Sequence, residues 1–171
     1  MERPEAHPAV VCDAGPLIHL DELASLDLLL DFTYVLVPQS VWNEVTRHRP
    51  HALESGSGHL RRIVVEGEEP PVLAALARSL VLGPGEYEAL QLALQQPLLI
   101  LLTDDAAARL AAEALRISVH GSIGVLLRAV RLGRRTREQT IVTLEGLGER
   151  SSLHVRPALI AEVIQSLRSL P

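Results

Sequence analysis

The run Leu98-Leu99-Ile100-Leu101-Leu102-Thr103-Asp104-Asp105 leads at once into Ala106-Ala107-Ala108-Arg109-Leu110-Ala111-Ala112. Five apolar residues without alternation read as a strand buried on both faces, and the alanine-rich stretch from Ala106 to Leu115 reads as a helix. A buried strand feeding a helix is the repeating unit of a parallel sheet, since the chain must cross a helical layer before it can run in the same direction again. Asp104 and Asp105 stand at the junction. That is the carboxyl end of the strand, where open α/β sheets build their sites.

The same alternation extends both ways along the chain. Ala9 to Cys12, Tyr34 to Val37, Ile63 to Val65 and Ile117 to Val119 read as further strands, with the Ile63 strand at an edge. Helical spacing covers Leu17 to Leu29 with a break at Ser25 and Asp27, then Val41 to Val45 behind Pro38, Val72 to Val81 and Glu86 to Gln95. Gly121 and Ser122 open a helix that stops near Gly133, and Glu138 to Leu147 and Pro157 to Leu167 form a C-terminal pair. The segment from Arg47 to His59, rich in Arg, His, Gly and Ser, reads as a loop.

Four junctions carry acids: Asp13 after Val10-Val11-Cys12, Glu44 after Val37-Pro38-Gln39-Ser40-Val41-Trp42-Asn43, Glu86 after Gly83-Pro84-Gly85, and the Asp104-Asp105 pair. Acids converging on one sheet edge would repel by roughly 4 kcal/mol per close pair at an effective dielectric near 20, and a divalent cation is the usual offset. Each also has a plainer explanation. Asp13, Asp104 and Asp105 suit helix caps, and Glu44 suits a surface pair with Arg47 and His48. Glu86 is harder to dismiss, because its helical face carries Ala89, Leu90 and Ala93, whereas Glu88 falls beside Gln91, Leu92 and Gln95 and reads as the solvent residue.

Composition narrows the chemistry. A chain of 171 residues with 47% hydrophobic but only 2% aromatic residues suits one domain with a Leu, Ala, Val and Ile core. Trp42 reads as a core anchor beside Glu44. All 16 basic residues are arginine, so Schiff-base and P-loop mechanisms that need lysine are excluded. The lone Cys12 reads as a buried, inert thiol, and the seven histidines show no zinc-ligand spacing, so none is counted as catalytic. The Met1-Glu2-Arg3-Pro4-Glu5 start has no apolar run, so no secretory leader is expected, nor is a membrane span, and a cytoplasmic location is expected. Net charge is −5, so any polyanion contact must be local. The candidates are Arg128, Arg131, Arg134, Arg135 and Arg137, which read equally as a solvated helix end, with Arg47, Arg49, Arg61 and Arg62 as a second set.

Together, Val10-Val11-Cys12-Asp13-Ala14-Gly15-Pro16-Leu17-Ile18-His19-Leu20, the segment from Val37 to Val45, Leu82 to Ala93 and Leu101 to Arg109 resemble the PIN-domain nucleases. Gly121-Ser122-Ile123-Gly124-Val125-Leu126-Leu127 brings the likeness nearest to the bacterial and archaeal branch related to VapC toxins. The resemblance implies a three-layer α/β/α fold with a central, mostly parallel sheet. Residues 9–133 would form the nuclease domain and residues 134–171 a C-terminal helical extension packed on it. It implies Asp13, Glu44, Glu86 and Asp104 as catalytic metal ligands, with Asp105 auxiliary, holding Mg2+ or Mn2+. It also implies RNA as substrate, with Arg131, Arg134, Arg135 and Arg137 as contacts, a toxin role with a cognate antitoxin as partner, and a homodimer. The chain departs from the pattern at Ala14 and Gly15, where many members carry hydroxyls, leaving Thr103 as a nearby substitute. Two other readings stand beside this one: a PIN-like binding or assembly module without catalysis, and a phosphoacceptor receiver, against which the missing lysine weighs.

Overall fold

The computed structural model describes residues 9–55, 58–96 and 99–169. The first residue of the expected central strand, Leu98, lies outside these, as do the segment before Ala9, Gly56 and Ser57 of the expected loop, and the last two residues. Five strands form one sheet: β1 (Val10–Cys12), β2 (Val35–Pro38), β3 (Leu60–Ile63), β4 (Ile100–Leu102) and β5 (Val119–His120). Their order is β3-β2-β1-β4-β5, and every pairing is parallel. Ten helices accompany them among the described residues: α1 (Ala14–Glu22), α2 (Gln39–His48), α3 (Pro50–Ser55), α4 (Pro71–Leu80), α5 (Pro84–Gln95), α6 (Ala106–Ala114), α7 (Ser122–Arg131), α8 (Arg137–Glu145), α9 (Leu147–Arg150) and α10 (Pro157–Ser169). None of them is long and apolar enough to cross a membrane.

Strand alternation divides the core into two layers. Val10, Cys12, Val35, Val37, Leu60 and Leu102 face a cluster completed by α1, α2, α3, α7 and the C-terminal helices, whereas Val11 and Leu101 face one made with α4, α5 and α6. The C-terminal residues Leu144, Leu147, Leu153, Ile164 and Leu167 belong to the first cluster. Glu22 on α1 ties down the chain between α9 and α10, accepting from the Ser152 N–H at 2.7 Å and the Ser151 hydroxyl at 2.9 Å.

The sheet departs from the sequence reading in several places. Arg47 to His59 is not one loop: α2 runs to His48 and α3 occupies Pro50–Ser55. The edge strand sits at Leu60–Ile63, three residues before its expected start at Ile63, because its register is set by pairing with β2 and places Arg61 and Arg62 on the open edge. Charged residues on an edge discourage pairing with another chain. Leu26–Asp31 is a 3-10 turn, and Ala24 beside it adopts φ 51°, the left-handed region.

β1 is followed in the chain by its neighbour on one side, β2, and is paired on the other side with β4. The chain reverses its winding between β1 and β4, and a crevice opens there at the carboxyl edge. The Asp13 N–H donates to the Leu102 carbonyl at 2.9 Å, so the two acid-bearing strand ends are locked side by side.

If the C-terminal helices share the core cooperatively, Leu144→Ala should cost about 2–5 kcal/mol, since Leu144 is only 1% exposed. Its urea unfolding should still follow one transition, read alike by helical circular dichroism and by the fluorescence of Trp42, the only tryptophan. Separate transitions would mean that those helices melt independently.

Candidate active site

A parallel sheet sends the helices that leave its strands off from one edge, so α1, α2, α6 and α7 all begin at the carboxyl side, and α5 begins there too. Each helix start leaves backbone N–H groups unpaired and carries partial positive charge. The acids meet that demand. Asp13 Oδ1 accepts from Ala14 N–H at the start of α1 at 2.8 Å, and Asp105 Oδ1 accepts from Ala108 N–H in α6 at 2.7 Å. Asp104 reaches across to α7, accepting from the Ser122 N–H at 2.7 Å and the Ser122 hydroxyl at 2.6 Å. The capping roles are real, and they bring the acids together.

Asp13, Glu44, Glu86, Asp104 and Asp105 line one cleft of about 280 Å³, with Ala14, Gly15, His19, Leu153 and His154 completing its walls. Asp13 is 4% exposed, and its second oxygen accepts the Thr103 hydroxyl at 2.8 Å. Thr103 therefore does supply a hydroxyl next to the first acid. Glu44 and Glu86 are half-buried and accept no hydrogen bond among the described residues, which leaves both carboxylates free to turn. Glycines make the close approach possible. A Cβ on Gly85 would lie 3.2 Å from Glu44 Oε2 and 3.7 Å from Asp13 Oδ1, and one on Gly121 would lie 2.6 Å from Asp104 Oδ1.

Unneutralised negative charge shows in the titration of neighbouring groups. Burial above all pushes the Asp13 carboxyl up to about 7 from its ordinary 3.8; hydrogen bonds from Thr103 and Ala14 oppose this, and the charges of Glu86 and Glu44 add to it. The Cys12 thiol is raised well above its usual range by burial, then by Asp13 and Asp104. Cys12 is fully buried and chemically quiet, as its strand position suggested.

The donors are hard carboxylate oxygens, the set that Mg2+ or Mn2+ prefers, and the crowding of charge around Asp13 is what a cation would relieve. Among the described residues no three His, Cys, Asp or Glu side chains are already drawn together tightly enough to hold an ion. The residues fit such an ion chemically, and the carboxylates of Glu44 and Glu86 are the two in the cleft that accept no hydrogen bond among the described residues.

One acid and two histidines differ from the sequence reading. Glu88 is no solvent residue: it accepts from the Ser40 N–H at 2.8 Å and the Ser40 hydroxyl at 2.6 Å, capping α2 from the neighbouring helix and so fixing the helix that carries Glu44. His19, left out of the set, puts Nδ1 2.8 Å from Asp104 Oδ2 and lines the cleft. Its sequence signal was the spacing from Gly15, one helical turn earlier, whose Cβ position is 3.5 Å from the His19 ring. His154 comes from the segment held by Glu22, too far along the chain for any spacing rule to find it.

The arginines lie elsewhere. Arg131 ends α7, about 13 Å along that helix from Ser122, so the predicted Arg131, Arg134, Arg135 and Arg137 group belongs to the opposite edge of the sheet. There Arg134 pairs with Asp31 at 2.8 Å and Arg135 with Asp27 at 2.7 Å, holding the end of α7 to the 3-10 turn. In the second set Arg49 pairs with Asp21, Arg61 lies over the Tyr34 ring and Arg62 over Trp42, which is half-buried against the core. Arg109 is closer to the acids, with Nη1 3.3 Å from the Thr103 carbonyl and 3.5 Å from the Cβ position of Gly121.

Asp13 binds its proton more tightly folded, at about 7, than an unfolded aspartate does at 3.8, so its ionisation costs stability as pH rises through that window. In the absence of metal, Asp13→Asn should therefore melt above wild type at pH 8, by up to about 4 kcal/mol of stability, with the advantage shrinking towards pH 4. A pH-independent difference would mean that Asp13 carries no such strain. Gly121→Ala should lower the melting temperature, an overpacking cost of about 1–3 kcal/mol, because its methyl meets Asp104.

A sequence model described as a PIN domain matches residues 9–169. No curated protein sequence matches the chain.

Proposed function

The chain belongs to the PIN-domain family, whose members are generally nucleases, and from that premise we propose that it is a metal-dependent ribonuclease hydrolysing phosphodiester bonds of RNA. The observation that carries this reading is the cleft itself, where five carboxylates from four separate segments of the chain share one wall system and the buried Asp13 feels the charges of Glu86 and Glu44.

Asp13, Glu44, Glu86 and Asp104 would hold Mg2+ or Mn2+, with Asp105, one of whose oxygens caps α6, auxiliary to them. Such an ion, when bound, activates water and stabilises the leaving oxygen of a phosphodiester. The chain's own residues provide the positioning. Thr103 fixes one oxygen of Asp13, and Ser122 together with His19 fixes Asp104. Glu88 anchors α2, and Gly85 lets α5 close against Glu44. Arg109 brings positive charge to the Asp104 side, where a phosphate approaching an otherwise acidic cleft needs it.

The cleavage assay is direct. Purified protein with Mg2+ or Mn2+ should cut a fluorescent RNA, chelation should abolish cutting, and Asp13→Asn with Asp104→Asn should lose at least about a hundredfold, a barrier change of roughly 3 kcal/mol. Equal cleavage by wild type and double variant would sink the enzyme reading. It would favour the second one, a PIN-like binding or assembly module, for which the full hydrogen bonding of Asp104 by Ser122 and His19 speaks.

The reading extends to a role as the toxin of a toxin–antitoxin pair, in the cytoplasm, as a homodimer and with a cognate antitoxin as partner. Its support is the likeness of the Val10 to Leu20 and Gly121 to Leu127 runs to the VapC branch. Expression without a partner should then arrest growth, and the double variant should not; arrest by both would overturn the toxin role.

A further inference from the structure

A second cavity, of about 350 Å³, opens between α7, the β4–β5 edge and Phe32. Its floor is apolar: Phe32, Ile100, Leu102, Val125 and Leu127. Its only charged or titratable lining residues among those described are Arg128, Arg131 and His120, and no carboxylate lines it. In a chain of net charge −5 that is a local inversion of sign.

Arg128 is the informative residue. Its guanidinium stands over the Phe32 ring, 5.1 Å from the centroid, and its Nε is buried with no hydrogen-bond partner among the described residues. A buried donor without an acceptor is costly, and a guanidinium lining an apolar cavity offers the N–H donors that carboxylate and phosphate oxygens fit. Arg131, one turn further along α7 on the same wall, is exposed and makes no ion pair among the described residues. Arg134 and Arg135 beyond it already hold Asp31 and Asp27, so the two arginines of the cavity are the ones left for a ligand.

We propose that this cavity, lined by Phe32, His120, Arg128 and Arg131, binds a small organic anion with a flat apolar body, its acid group on the guanidiniums and its body on the apolar floor. The volume supports a small molecule over a polymer, since it sits at the low end of ligand pockets, about 300–1,000 Å³. Carboxylate and phosphate monoester share the chemistry that an arginine fork reads, so the source is left to the test. The site is independent of the carboxylate cleft: α7 offers Ser122 to Asp104 at its start and Arg128 to this cavity six residues later.

Isothermal titration of the full-length protein without metal tests it, with benzoate and adenosine 5′-monophosphate as the two probes. Benzamide, adenosine and inorganic phosphate are the controls that lack the charge or the flat body. Binding of at least one probe, with the controls weaker by about tenfold or more, is expected; the ratio is that of one charge-assisted hydrogen bond. Arg128→Lys keeps the charge but loses the fork, and Arg131→Gln is an exposed change that leaves packing alone. Each should weaken the bound probe by about tenfold while melting near wild type. Should Arg128→Lys fail to fold, Arg131→Gln alone decides. Which probe binds separates a carboxylate from a phosphate source. Binding by neither probe, equal binding of benzamide or adenosine, or full affinity in Arg131→Gln would overturn the proposal. None of these readings depends on RNA cleavage.

Discussion

Several helices of this protein start at the same edge of one parallel sheet, and their unpaired N–H groups must be answered there. Carboxylates answer them: Asp13 at α1, Glu88 at α2, Asp105 at α6 and Asp104 at α7. Helix starts are the one place in a fold where acids can be gathered at modest cost, because each brings N–H donors and the positive end of a dipole. The gathering is not fully offset. The elevated proton affinity of Asp13 measures the burial and repulsion that the caps do not cancel.

Capping and site formation are thus one arrangement serving two ends, and the division of labour among the acids follows from which helix each one serves. Asp105 spends its side chain on its own helix, and Glu88 on a neighbour's. Asp104 is held from two other elements, by Ser122 on α7 and His19 on α1, so its position reports the packing of three helices around the β1–β4 crevice. Glu44 and Glu86 alone among the cleft acids accept no hydrogen bond among the described residues, and they are the ones with freedom to respond to a ligand.

The opposite edge inverts the pattern. There helices end, carbonyls are exposed, and cations are favoured. Arg134 and Arg135 follow α7 and bind Asp31 and Asp27 of the 3-10 turn, while Arg128 and Arg131 face a cavity that no acid lines. The run of arginines legible in the sequence follows the end of α7, which is why it stands about one helix length from the acids it was expected to serve.

The sequence by itself determined the strand and helix alternation, the acids at strand ends, and the inward face of α5, because each of these depends only on periodicity over a few residues. It could not separate a cap from a site, since both want an acid at the same position. Nor could it give the edge strand its register, which pairing with β2 decides, or reveal that Glu88 is held by Ser40, 48 residues away. His19 and His154 entered the cleft, and Arg134 and Arg135 left the phosphate-binding reading, through contacts far apart in the chain. Local pattern fixes which residues can stand at the sheet's edge; only the packing of helices against one another decides which of them meet.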